Sequence, residues 1–334
     1  MRFARFTIGL GTGLILISCS RTPLDASPSQ PAATGGIGGE SGAGGLGGKG
    51  GAGGTGGLGG KGGAGGTGTL GGVGGSSAAG TTGTVATQNC TDHGSGHSVL
   101  TRDFEATTIQ VDGRKKDYVM QTNWWGKFEQ ESEAVDGLSF TVANPTGAAS
   151  YSDMPMGYPS FFIGSYAGHA TTGSNLPKQV SALTNVYTVF STNASSMGYS
   201  NYSADYDVWL TATGSPLPSY QYDPGAGGAY LMVWLFKPTD RQPRGINFFP
   251  DQTISGVPGT WDVWIDNSNP PCISYVSTAP LDKLDYDLND FIKDAVTYNY
   301  GITSSMYLSI IFAGFEIWGG ADGLQAKAFC ANVL

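Results

Sequence analysis

The sequence predicts an all-β domain: two sheets packed face to face as a sandwich, with one helix against them. Short runs of β-branched and aromatic residues, separated by Gly, Pro, Asn and Ser clusters, fill the chain from residue 106 onward, the pattern of many short strands joined by turns. A single segment has a helical period. The part able to fold, residues 88–334, is about 245 residues long, a size common for one sandwich or barrel.

The strand segments, in order, are TTIQV, YVMQTNWW, LSFTVA, VYTVFST, YDVWLTA, AYLMVWLF, TWDVWI, CISYV, YLSIIFAGFEIW and LQAKAF. The helix lies in DYDLNDFIKDAVTYNYG, where Leu288, Phe291, Ile292, Ala295 and Val296 recur at i, i+3, i+4, i+7 and i+8. Asp287 is a suitable N-cap, and Gly301 can end the helix.

What precedes the domain reads differently. Residues 1–19, MRFARFTIGLGTGLILISC, carry two Arg and then an apolar run, the layout of a secretory signal peptide. The LISC ending resembles a bacterial lipobox, which implies lipidation of Cys19, a membrane anchor, and, with Ser20 next, the outer membrane or cell surface. Cleavage as an ordinary signal peptide, with secretion, is the alternative. Residues 20–87 are a tether rich in Gly, Ser, Thr and Ala, in which LGGKGGAGGTGG recurs with a period of twelve. Its x-G-G rhythm is not that of collagen, and it cannot bury enough apolar surface to fold. As a flexible coil it spans about 45 Å.

The chain has 334 residues and a formal charge of −9 without a basic cluster, which argues against nucleic acid as a partner. Export permits a disulfide. Cys90 and Cys330 sit near the two ends of the domain, so a bridge between them would staple the terminal strands and leave Cys272 over. No metal-ligand spacing appears, no cofactor is implied, and the protein is expected to be a monomer. His93 and His97, spaced H-x3-H in DHGSGHS, read as solvated loop residues, and so does His169 in GSYAGHATTG.

Strand parity separates two faces, because side chains alternate. In AYLMVWLF, Leu231, Val233 and Leu235 form an aliphatic face, with Tyr230, Met232 and Trp234 opposite. In DYDVWLT, Tyr206, Val208 and Leu210 go inward and Asp207 and Trp209 outward. In FAGFEIW, Phe315 and Ile317 go inward and Glu316 and Trp318 outward. If these strands are neighbours, the outward side is a broad, aromatic, acidic surface on which sugar CH faces could stack. The alternative is a face covered by loops, with the Trp residues as a secondary core.

Several segments resemble glycoside hydrolase family 12. YVMQTNWWG is similar to its "YVVQNNxWG", with Asn123 and Trp125 in the matching places. GYPS followed by Leu176-Pro177 is similar to its "YPS…LP", SADYDVWL to its "AYDIWL", LDYDLNDFIKDAV to its single helix, and YLSIIFAGFEIWGGADGL to its "YLTSVQAGFEIWxGGxGL". The similarity covers the chain from Tyr118 to the C-terminus. It implies a concanavalin-like β-jelly roll acting on β-1,4-glucans of the cellulose or xyloglucan type. Glu316 then falls on the general acid/base and Asp207 on the supporting carboxylate. Asn123, Trp125, Trp209, Met232, Trp234 and Trp318 fall on or beside the substrate-binding positions.

One position departs from the pattern. The family's nucleophile is the Glu of "E-I/L-M-I-W", and the aligned residue is Tyr230, a neutral phenol at pH 7. Four readings follow: a glucan-binding protein without turnover; a hydrolase in which Asp207 activates water in an inverting arrangement; Tyr230 itself as nucleophile; and an adhesive surface lipoprotein.

Overall fold

A computed structural model describes residues 20–21, 90–125, 132–148, 154–199 and 201–334. Residues 1–19, read from the sequence as a signal segment ending at Cys19, and residues 22–89, which hold most of the expected tether, lie outside the described residues. The strands are β1 (His97–Leu100), β2 (Ala106–Gln110), β3 (Asp117–Gln121), β4 (Ser132–Asp136), β5 (Ser139–Ala143), β6 (Ser160–Tyr166), β7 (Val186–Thr192), β8 (Ala204–Thr211), β9 (Ala229–Phe236), β10 (Ile246–Gln252), β11 (Trp261–Asp266), β12 (Cys272–Ser277), β13 (Lys283–Asp287), β14 (Tyr307–Gly314) and β15 (Gln325–Val333). Two helices accompany them, the single turn α1 (Ala194–Met197) and α2 (Asn289–Thr297).

They form two sheets, as the sequence predicts. A six-stranded sheet has the order β13-β7-β15-β5-β4-β1. An eleven-stranded sheet runs β10-β11-β12-β9-β8-β14-β6-β3-β2, with two-residue strands His169–Ala170 and Lys178–Gln179 attached to β6 and β14. A further short antiparallel pairing joins Ser20–Arg21 to Gln242–Pro243.

The inner faces of the two sheets make the main core. Tyr206, Val208 and Leu210 of β8 lie there with Leu231, Val233 and Leu235 of β9, and Ile311, Ala313 and Phe315 continue the layer. From the smaller sheet, Phe190 meets Tyr206 edge-on at 5.8 Å and Phe329 stacks on Phe161 at 5.8 Å. Offset and edge-on rings add to the area term that dominates such a core.

Helix α2 buries Phe291, Ile292 and Ala295, and Phe291 packs edge-on against Trp261 at 5.0 Å. Leu288, not Asp287, takes the N-cap position. Asp287 still holds the helix start, since its Oδ1 accepts from the amides of Asn289 (3.1 Å) and Val186 (2.6 Å). The helix ends before Gly301 because Asn299 already adopts φ 57°, a left-handed conformation that Asn tolerates.

Cys90 and Cys330 form a disulfide, and a buried polar cluster lies beside it. Lys116 Nζ donates to Asp92 Oδ2 (2.5 Å) and to the Ala331 carbonyl (2.6 Å), and the Tyr118 hydroxyl donates to Asp92 Oδ2 (2.6 Å). Burial works against the Asp92 charge, but the hydrogen bonds from Lys116 and Tyr118 and the lysine charge hold its carboxyl below the usual range. The segment before β1 is thereby pinned to β15. Cys272, expected to be left over, is not a free thiol; none of the described cysteines is. His97 pairs with Asp136 on an exposed surface (3.2 Å), and His93 and His169 are exposed.

The Cys90–Cys330 bridge closes a loop with a sequence separation of 240. Replacing both cysteines with Ser is expected to lower unfolding free energy by about 2–5 kcal/mol, read as an earlier urea midpoint, with a steeper slope because the unfolded chain expands.

Candidate active site

The site begins with β8, all of whose residues are buried between β9 and β14. The registers fix which side chains meet. Asp205 lies opposite Trp234, Asp207 opposite Met232, and Trp209 opposite Tyr230 on β9. On β14, Asp205 lies opposite Gly314 and Asp207 opposite Phe312. Beyond Gly314 the chain leaves the regular ladder. The Ser203 amide donates to the Glu316 carbonyl (2.9 Å), and Ile317 bridges to Gly157 and Tyr202. Glu316 therefore sits opposite Ser203, past the end of the strand in which the sequence places it, with Trp318 on its own face.

Three carboxylates gather on this face. Asp205 and Glu316 are buried, and Asp207 is 7% exposed. Asp205 Oδ2 accepts from the Ser203 hydroxyl (2.5 Å), and Asp207 Oδ2 accepts from the Trp209 indole (3.0 Å). No described residue donates to the other oxygen of either aspartate. Burial pushes the Asp207 carboxyl up to about 7, against the pull of the Trp209 hydrogen bond and the Arg244 charge. Burial also pushes Asp205 up, the Ser203 and Tyr158 hydroxyls oppose it, and the neighbouring Asp207 charge adds to the rise. Two like charges this close on one strand face cannot both ionise cheaply. Tyr158 stands among the three acids: burial, then Asp205, Asp207 and Glu316, drive its phenol well above the ordinary range. Its hydroxyl donates to the Asp205 carbonyl (3.1 Å).

Tyr230 lies elsewhere on the face. Its ring meets Trp209 edge-on at 5.7 Å, and the Arg244 guanidinium lies 6.0 Å from the ring centre. The hydroxyl has no described hydrogen-bond partner, and burial followed by the Asp207 and Asp223 charges raises its pKa. Asp207, which the family resemblance makes a supporting carboxylate, accepts from Trp209 and not from Tyr230.

The aromatic surface is present as a row but not as an open one. Trp209, Tyr230, Met232, Trp234 and Trp318 form a second buried cluster. This matches the covered-face alternative. Part of the cover is the segment after β9, residues 237–245, which carries Arg241 to 5.3 Å from the Trp318 ring and Arg244 onto Tyr230. Arg244 is anchored by an ion pair with Asp266 and by Ser268 Oγ (2.7 Å). Asn123 and Trp125 border the Glu316 end, because the Asn123 carbonyl accepts from Tyr158 N (3.0 Å) and Trp125 N donates to Met156 (3.0 Å). Asn123 is buried at φ 51° and Trp125 is partly buried.

Sequence reasoning passed over Asp205, Ser203, Tyr158 and the two arginines. Asp205 was within reach, since it shares the parity of Asp207; the others depend on loops whose path no periodicity gives.

The family model of glycosyl hydrolase family 12 matches residues 116–334. This chain belongs to that family. The probable cellulase Cel12b of Mycobacterium tuberculosis is 30% identical over 163 residues, 48% of this chain and 99% of that one. The xyloglucan-specific endo-beta-1,4-glucanase A of Aspergillus niger is 29% identical over 132 residues, 38% of this chain and 50% of that one. Among solved structures, endoglucanase cel12A from Rhodothermus marinus has a TM-score of 0.61 at 27% identity, covering 71% of this chain and 99% of that one. The two sheets have the β-jelly-roll architecture of the family.

The raised carboxyls carry a sign for stability. The folded protein keeps protons on Asp207 that the unfolded chain releases near pH 4, so this contribution is complete below about pH 4 and is lost as pH rises through about 7. Asp207→Asn should flatten the fall in melting temperature between about pH 4 and 7. An identical fall in both proteins, followed by calorimetry, would contradict the assignment.

Proposed function

We propose that this protein engages β-1,4-linked glucans of the cellulose or xyloglucan type along the β9–β8–β14 face and hydrolyses them by a route that does not use Tyr230. The observation that carries this reading is the burial of Glu316 with Asp205 and Asp207 around Tyr158, at one end of a row of Trp side chains. A carboxyl in a desolvated, aromatic setting can hold a proton for a glycosidic oxygen, and an indole ring suits a sugar CH face, for which the partly buried Trp125 at that end is placed. The activities named for the M. tuberculosis and A. niger relatives point to the same substrate class. The lipobox-like start would place the domain on a tether outside the cell.

A second reading, glucan binding without turnover, is favoured by one observation. The position that supplies the carboxylate nucleophile in the family holds Tyr230, and its buried phenol stays neutral.

Calorimetry with cello-oligosaccharides and xyloglucan fragments, paired with reducing-end assays, separates the two. Glu316→Gln should keep binding and lower hydrolysis by roughly 10²–10⁴-fold, the usual worth of a general acid. Tyr230→Phe should leave the rate within about twofold, because a hydroxyl without a partner contributes little. Loss of turnover in Tyr230→Phe would instead make the phenol the nucleophile, and binding with no hydrolysis at any pH would leave the non-catalytic reading.

A further inference from the structure

We propose that the exposed aromatic strip formed by β10 and the end of α2 is a second, non-catalytic platform for the flat CH faces of an insoluble β-1,4-glucan. The proposal rests on the glucan-acting reading for the choice of polymer. It goes beyond that reading because the strip shares no residue with the β9–β8–β14 face.

Phe248, Phe249, Tyr300 and Tyr298 form a continuous series of rings. Phe248 lies 6.2 Å from Phe249 at 36°, Phe249 lies 5.5 Å from Tyr300 at 29°, and Tyr300 lies 5.7 Å from Tyr298 at 19°. Tyr298 is 63% exposed, Phe248 45% and Phe249 39%. Rings gathered to fill a core would be buried. These stack on one another and still face water, as an interaction surface does. The backbone fixes the tyrosine end of the series. The Tyr300 amide donates to the Ala295 carbonyl (3.0 Å) and the Asn299 amide to the Val296 carbonyl (3.2 Å). These are the paired bonds of a Schellman motif whose left-handed residue is Asn299.

Three features of the strip select its occupant. The edge strand is blunted against another strand: its pairing with β11 shifts register on both sides of Phe249, Pro250 offers no amide, and Asp251 adopts φ 55°. Strand addition by a second copy is therefore disfavoured. Neither β10 nor the turn from Thr297 to Gly301 carries a Lys or Arg, so an anionic headgroup finds no counter-charge there. Exposed Asn247 and Asn299 set uncharged amides beside the rings, which suits a neutral polysaccharide whose CH faces stack and whose hydroxyls bond. The strip is also continuous with the candidate site. Met232 lies opposite Ser274, Ser274 opposite Trp264, and Trp264 opposite Asn247. This single cross-strand row spans about 14 Å from β9 to β10 at the spacing of neighbouring strands. A polymer held on the strip is thereby kept at high effective concentration near the site.

The test is retention of the full chain on microcrystalline cellulose, with calorimetry on cellotetraose as the separate reading of the β9–β8–β14 face. The wild type should be retained. Phe248→Ala and Tyr298→Ala together should lower the partition constant roughly tenfold, since two stacking faces are removed. The cellotetraose Kd should stay within about twofold, as expected of distant sites. Both side chains are exposed, so the fold should persist, which circular dichroism checks. Phe248→Tyr keeps a ring and should be retained as the wild type is. Equal retention of the wild type and the double variant would overturn the proposal, and so would a loss in Phe248→Tyr as large as in the alanine variant. A wild type that washes off cellulose would also overturn it. The same holds if the double variant keeps cellulose but loses binding to phosphatidylcholine vesicles, or loses self-association in ultracentrifugation. Retention that depends on the two rings, in a protein that binds no cellotetraose, would support the platform and overturn the glucan-acting reading of the β9–β8–β14 face.

Discussion

The desolvation of β8 is the constraint on which the rest of the molecule depends. The strand is buried along its whole length between β9 and β14, so its two-residue period sends alternate side chains to two enclosed faces. Tyr206, Val208 and Leu210 fill one with hydrocarbon. Asp205, Asp207 and Trp209 occupy the other, where a charge taken out of water is costly. The protein meets that cost with a serine hydroxyl on one aspartate, an indole N–H on the other, and a proton affinity raised enough to keep the pair from carrying two charges. Groups held in this way keep their protons into the neutral range, so one constraint orders both the core and the acidic face.

The width of the sheet follows from the same placement. A central strand needs partners on both edges, and the eleven-stranded sheet continues well beyond them. On the β9 side, β12 runs parallel and β11 antiparallel. That carries Asp266 to where it pairs with Arg244 and fixes residues 237–245 over the aromatic row. On the β14 side, loss of the ladder after Gly314 lets Glu316 meet Ser203 and lets the loop around Tyr158 close on all three acids.

At the far edge, the clasp of Asp92, Lys116 and Tyr118 with the Cys90–Cys330 bridge joins a segment ahead of the family match to the last strand. Its charges are buried yet fully engaged, the condition under which a buried ion pair is tolerated.

The sequence by itself determined the two sheets, the helix and the parity of the acids and indoles, because alternation and a 3.6-residue period are local properties of the chain. It left β1, β4, β6, β10 and β13 unmarked. SEAVD and KLDYD are too polar to read as strands, and INFFPDQ, exposed along an edge, has no buried face to impose a pattern. SFFIGSY is broken by Gly164, which sits at φ 116° against the Ser309 carbonyl. What only the tertiary structure decided is register. Parity says that Asp205, Asp207, Tyr230 and Glu316 share a face, but which of them stand within a bond's reach depends on how far each strand slides along its neighbour. That offset is set by hydrogen bonds between segments distant in the chain, Ser203 to Glu316 among them, and no local pattern encodes it.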